Sequence, residues 1–293
     1  MNLSFFSQNG YQVIPHFIKN ETCSQLITRA LQWVKSLPVD QVSIFSTENQ
    51  TADSYFLESG RSIRLFFEEE AAKNPECLQV DKERMVNKIG HALHDLDPVF
   101  RSFSRSNSIK SLALQLGFQI PVPVQSMVIL KQPWVGGEVR PHQDSSFLYT
   151  QPPSCIGLWW ALQDATVDNG CLWVLEGSHK CAIHKRMRRT PDGKSIYFYE
   201  ENPKDCDYTV LDNYKPIECE AGSLILLHGG WYLVFKYSVT RVTEYPIALW
   251  HFSCKNKSSQ SRHAYSLHLL EGKDSVWSPD NWLQPSHLPF EPL

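Results

Sequence analysis

The chain has 293 residues, with 28 Lys and Arg against 31 Asp and Glu, a formal net charge of −3. That balance excludes an electrostatic nucleic-acid binder, which needs a basic excess to displace counterions from phosphates. With 42% hydrophobic and 20% charged residues the chain is globular rather than disordered, and its length suffices for a substantial core.

The opening MNLSFFSQNGYQVIP has neither a basic leader nor an unbroken apolar stretch, so no secretory signal is expected there. Asn20 reads as the N-cap of a helix that carries Cys23, Leu26, Ile27, Ala30, Leu31 and Val34 at helical spacing. A second helix is expected from near Lys82 to beyond His94, with Met85, Ile89, Ala92, Leu93 and Leu96 as its stripe. On it Lys88 reads as a solvated charge, and His91 and His94 as packing or capping groups. A third stripe of Ile109, Leu112, Leu114 and Leu116 ends at Gly117, a residue suited to the position after a helix. No stretch approaches the ~20 apolar residues of a spanning helix, so no membrane contact is expected.

Beyond residue 120 the period changes to two. Segments 122–132 (VPVQSMVILKQ), 156–162, 171–175, 223–227, 247–253 and 264–270 are short, rich in β-formers and bounded by Pro, Gly, Asn or Asp. Helices followed by a run of strands imply an α+β protein, mainly β, with helical support in residues 1–120 and an antiparallel barrel or sandwich over 121–275. Nothing resembles a linker or a repeat, so 1–293 is read as a single domain. The eight Cys form no C-x-x-C pair, which argues against zinc-ribbon and thioredoxin chemistry and leaves small buried side chains of a reduced, cytoplasmic protein.

The most informative stretch is 136–149, GGEVRPHQDSSFLY, with the triplet His142-Gln143-Asp144 just after a strand and turn. Alternation along an extended chain turns residues i and i+2 to one side, so imidazole and carboxylate converge on one ion. A third donor must come from elsewhere, and His179, His184, His228, His251, His263 and His268 are available. Two His and one Asp with open positions form the facial triad of non-haem Fe(II) oxygenases. When 2-oxoglutarate supplies the electrons, its far carboxylate requires a bidentate partner such as Arg262, eleven residues after His251. The same donors also suit a zinc hydrolase, which would leave Arg262 without a role.

These segments resemble the phytanoyl-CoA dioxygenase family. The resemblance covers GGEVRPHQDSSFLY, LWWALQDATVDNGCLWVLEGSHK, YFLESGRSIRLFFEE, NKIGHALHDLDPVFRS, VPVQSMVILKQP, the late HFS and SRHAY, and WSPDNWLQP, nearly the whole chain. It implies a double-stranded β-helix (jelly roll, cupin-like) that holds Fe(II) and 2-oxoglutarate, with ascorbate in support. Carried over by position, it makes His142, Asp144 and His251 the iron ligands. Arg262 and Ser253 would hold the far carboxylate, Lys88 would reach the cosubstrate, Met127 and Trp159 would line its pocket, and Gln143 lies between two ligands. With Asp144 present, no position is left for the chloride that related halogenases bind, so hydroxylation of a small-molecule or acyl substrate by O2 is the expected outcome. A monomer is compatible with all of this.

One departure concerns the third ligand. The family pattern places the iron histidine about five residues after L-x-H-G, whereas LILLHGG at His228 is followed by His251 only after the aromatic, β-branched segment 231–248. His228 is the rival, but position 239 is Val239, not Arg. The segment is either an inserted hairpin or lid over the pocket, or a translated intron, and it opens the alternative of a catalytically impaired metal- or 2-oxoglutarate-binding sensor. The basic run HKRMRR at 184–189 reads as a solvated loop.

Overall fold

In the computed structural model the described residues are 1–38, 43–44, 54–69, 73, 81–202, 206–230, 248–285 and 287–293. The chain begins with α1 (Leu3–Asn9), which Gly10 ends in the left-handed region at φ 84°, and β1 (Tyr11–Ile14). Helix α2 (Asn20–Ser36) buries Cys23, Leu26, Ala30 and Val34 as one stripe. Its cap is Lys19 with no side-chain capping bond, and the expected cap Asn20 is instead the first helical residue. Next come α3 (Ser54–Glu58) and β2 (Ile63–Phe67).

The helix expected from Lys82 past His94 is not formed. Only α4 (Lys82–Met85) and α5 (Leu93–Leu96) are helical, and between them β3 (Val86–His91) is buried throughout. Met85, Ile89 and Leu93 do enter the core, but a spacing of four is also even, so it fits a strand as well as a helix. Helices α6 (Pro98–Ser104) and α7 (Asn107–Gln115) follow, the latter with Gly117 just beyond it at φ 99°. Asp97 caps α6 by accepting from the N–H groups of Val99 and Phe100, both at 2.9 Å. The same buried carboxylate accepts from Arg29 Nε at 2.6 Å and Trp33 Nε1 at 2.8 Å, which ties α6 to α2.

The strands from residue 121 onward are β4 (Pro121–Lys131), β5 (Val139–His142), β6 (Thr150–Gln151), β7 (Cys155–Ala161), β8 (Leu172–Val174), β9 (Lys185–Arg189), β10 (Ile196–Glu200), β11 (Lys215–Ile217), β12 (Leu224–Gly229), β13 (His251–Ser253), β14 (Arg262–Glu271) and β15 (Val276–Trp277). Seven strands form one antiparallel sheet in the order β1-β12-β7-β14-β4-β3-β2, and four form a second in the order β11-β8-β13-β5. The chain passes from sheet to sheet, β4 to β5 to β7 to β8 and β12 to β13 to β14. This is the α+β, mainly β, jelly roll, with strands β1 to β3 contributed by the region expected to be helical.

The pleat of the larger sheet separates two cores. Leu158, Trp160, Tyr265 and Leu267 pack outward against Leu26, Ala30, Phe100 and Ile109 of the helices. Trp159, Ala161 and Ala264 point inward against Leu172 and Val174 of the smaller sheet. With both faces covered, β7 and β14 are buried along their whole length. The run 184–189 is not a solvated loop: it forms β9, paired with β10, and Arg186 is buried against Asp280 at 2.5 Å and Glu201 at 3.4 Å. Among the described cysteines Cys23, Cys155 and Cys171 are buried, while Cys181, Cys206, Cys219 and Cys254 are half-exposed. The suspected insertion lies outside the described residues except for Ala248.

Candidate active site

Strands β5 and β13 are neighbours in the smaller sheet, and their register sets His142 directly opposite His251. The imidazole centroids are 4.2 Å apart. Asp144 opens the turn that follows β5, and one donor atom each from His142, Asp144 and His251 lies within 4.8 Å of the others. Each imidazole shares a hydrogen bond with the carbonyl two residues before it, His142 Nδ1 with Arg140 at 2.8 Å and His251 Nδ1 with Leu249 at 3.3 Å. A carbonyl only accepts, so both Nδ1 atoms carry a proton, which leaves the two Nε2 atoms to face the carboxylate. They lie 3.7 and 3.6 Å from Asp144 Oδ1.

Burial, reinforced by His251, lowers His142 to about 4, so it is neutral. Burial alone would raise Asp144, but His251, His268 and His142 overcome it and keep the carboxylate ionised. Two imidazole nitrogens and an ionised carboxylate converging on one place form a donor set that fits a divalent cation. Asp144 Oδ2 points the other way, 3.4 Å from His268 Nε2, in space left by Gly157, where a Cβ would come within 2.7 Å of it.

The triad lies in a cavity of about 270 Å³ between the sheets, walled by Met127, Ile129, Trp159 and Phe252 among others. Arg262 also lines it and is 1% exposed. Its Nε donates to Gly170 O at 3.2 Å, its guanidinium lies 5.2 Å over the Trp159 ring, and one terminal nitrogen has no partner among the described residues. Burial lowers it only to about 10, so it stays charged. A buried cation with an orphaned donor fits an anionic ligand. Ser253, two residues after His251, accepts from Lys131 Nζ at 2.9 Å and lines the same cavity.

The other expected site residues divide. Met127 and Trp159 flank Ser266 in register and line the cavity. Lys88 also lines it, from strand β3 rather than a helix, with Nζ 5.1 Å over Phe66, and burial lowers it to about 7. Gln143 turns away: it donates to Ala248 O at 2.7 Å and Ala182 O at 3.2 Å and accepts from His184 N. The rival His228 stands apart, its ring 5.0 Å from that of His179 and 5.5 Å from Phe6, and Gly230 N donates to its Nδ1. His179 is itself a structural hydrogen-bonder, its Nε2 2.8 Å from Ser7 O. His91 and His94 pack, with Nδ1 atoms 2.8 Å from Ser59 Oγ and Ser126 Oγ respectively. Lys131, Ser266 and His268 are site residues that sequence reasoning did not assign. Alternation inward from Arg262 through 264, 266 and 268 was the available signal for the last two.

Comparison with known proteins gives a consistent picture. A family model described as phytanoyl-CoA dioxygenase (PhyH) matches residues 6–232. A phytanoyl-CoA dioxygenase of Arabidopsis thaliana is 44% identical over 293 residues, covering 99% of this chain and 95% of its own. Phytanoyl-CoA dioxygenase domain-containing protein 1 of Bos taurus is 41% identical over 305 residues, covering 99% and 97%. Among solved structures, the non-heme alpha ketoglutarate dependent epimerase SnoN from nogalamycin biosynthesis superposes with a TM-score of 0.61 at 13% identity, covering 94% of this chain and 84% of that one. EctD from S. alaskensis with 2-oxoglutarate and 5-hydroxyectoine gives 0.59 at 16% identity, covering 94% and 76%. At those identities the structures show a shared fold.

Proposed function

The chain belongs to the phytanoyl-CoA dioxygenase family, and from that premise we propose that it is an Fe(II)- and 2-oxoglutarate-dependent hydroxylase of a small-molecule or acyl substrate. The observation that carries this reading is the pairing, in one cavity, of three converging ligand atoms at one place with an orphaned buried guanidinium at another. His142, Asp144 and His251 hold the iron, and Arg262 with Ser253 takes the far carboxylate of 2-oxoglutarate. Met127 and Trp159 flank the cosubstrate, and Lys88 reaches it. Gln143 acts at one remove, by tying the ligand turn to residues 182–184 and 248.

When bound, iron with 2-oxoglutarate and O2 supplies an oxidant for an unactivated C–H bond, and succinate and CO2 are released. The chain supplies the rest. Two carbonyls fix which imidazole nitrogen bears the proton, Asp144 stays ionised, and apolar walls keep water from the reacting groups. We read 1–293 as one catalytic domain, since the helices pack on the outer face of the sheet whose inner face lines the cavity, and the protein as cytoplasmic. Ascorbate serves to keep the iron reduced.

The test is succinate formation by the purified chain with Fe(II), ascorbate, O2 and 2-oxoglutarate, in the presence of candidate substrates. Asp144→Ala is expected to lower the rate more than about 100-fold by removing a ligand. Equal succinate from the variant overturns the assignment. Metal and 2-oxoglutarate binding without turnover by the wild type assigns the sensor instead.

A further inference from the structure

We propose that Lys131 is a positioning residue that aims the Ser253 hydroxyl proton into the cavity, so that the site selects 2-oxo acids bearing a second carboxylate. The inference rests on the cosubstrate reading above. Lys131 ends β4 directly opposite Arg262 in the register and is 2% exposed. Its Nζ is 2.9 Å from Ser253 Oγ and 2.5 Å from Cys254 O. Lys131 Nζ donates in this bond and Ser253 Oγ is the acceptor. The serine has one proton of its own, which is then left for whatever enters the cavity that Ser253 and Arg262 both line.

The result is a pair of donors, from Arg262 and Ser253, turned to the same cavity. Arg262 Nε is committed to Gly170 O, leaving its orphaned terminal nitrogen, and Ser253 adds an O–H. A carboxylate is satisfied by such a set, whereas a methyl or an amide N–H is not. Without Lys131 the hydroxyl is free to rotate and present a lone pair to that carboxylate instead. Burial and Arg262 lower the Lys131 pKa, while Glu68 favours the charged form, and an arriving carboxylate adds to the latter. The lysine stem is also confined: a Cβ on Gly170 (φ 87°) would come within 2.8 Å of Lys131 Cδ and 2.5 Å of Cys254 O. Gly170, Cys254, Lys131 and Arg262 thus form one close-packed ceiling.

Calorimetric titration of the Ni(II)-loaded chain with 2-oxoglutarate and with 2-oxobutyrate, which lacks the far carboxylate, tests this without requiring turnover. Lys131→Met is expected to weaken 2-oxoglutarate about tenfold, the loss of one net hydrogen bond, and 2-oxobutyrate less than about twofold. Ser253→Ala, a smaller change, should reproduce that selective loss, and the double variant should be no weaker than either single one. Equal weakening of both acids by Lys131→Met, or multiplicative losses in the double variant, overturns the role of Lys131. Unchanged 2-oxoglutarate affinity in either single variant does the same. A wild-type chain that binds neither acid overturns the cosubstrate reading itself, which separates the two failures.

Discussion

Gly157 stands where the Asp144 carboxylate needs room, since a Cβ there would lie 2.7 Å from Oδ2 and 3.3 Å from Leu227 Cβ. Gly157→Ala is therefore expected to displace the carboxylate and lower metal affinity at least about tenfold, a loss that metal titration of the folded variant reads directly. Arg262→Leu removes the buried guanidinium that lines the cavity, so 2-oxoglutarate affinity should fall about 100-fold or more while metal affinity is retained. Calorimetry with each ligand in turn separates the two effects. At this scale much of the site was legible, because H-x-D and the spacing from His251 to Arg262 are local patterns. The spacing to Arg262 favours His251 over His228, and cross-strand register, which a sequence does not display, is what brings His251 beside His142 and Asp144. Gln143 illustrates the other limit: standing between 142 and 144, it faces the opposite way from both, so proximity in the chain was misleading. Lys131 was hidden among strand residues whose inward or outward direction depends on the same register.

Among the elements, β3 shows how a pattern can serve two periods. Residues 85, 89 and 93 reach the core through a helix, a strand and a second helix in succession, and burial on both faces removed the polar alternation that would have marked the strand. Strands β4, β7 and β14 were legible as runs of β-formers bounded by turn residues, and helix α7 because Ile109 and Leu112 are buried at helical spacing before Gly117, although the expected stripe residue Leu114 is exposed. The basic run in β9 was misread because Arg186 is neutralised by Asp280 and Glu201, partners distant in sequence. The joint between α2 and α6 rests on Asp97, which serves as cap and as partner of Arg29 and Trp33. Asp97→Ala is expected to cost about 3 kcal/mol in urea unfolding, more than a cap alone, since it also leaves a guanidinium and an indole N–H unpaired. Asp97→Asn, which can still cap, should lose roughly half as much.

For the molecule as a whole, acid should be destabilising well before ordinary carboxylates titrate. Burial lowers His94 to about 4, His228 to about 3 and His263 to about 4. The unfolded chain takes up those protons near the usual histidine value while the folded chain does not. Stability is thus fully present above about pH 6.5 and is lost as pH falls toward 3–4, by up to ~1.4 kcal/mol per pH unit for each group. Urea midpoints of the metal-free chain across that window should fall steadily, and His228→Phe should flatten part of the slope. The succession of helices and strands was enough to read the fold class, but the order of strands within each sheet was not, because it is a property of long-range pairing. That order has a consequence for dynamics. Strand β5 is at the border of the smaller sheet, bonded to β13 alone among the described strands, and a border strand loosens first because only one flank of its backbone is paired. A divalent ion shared by His142 and His251, as proposed, would rivet that border to its neighbour. Deuterium uptake by the amides of Val139, Arg140 and His142 should accordingly be fast in the presence of a chelator and slow once metal is added, with the helical layer unchanged, so that the exchange rate of three amides becomes a gauge of metal loading.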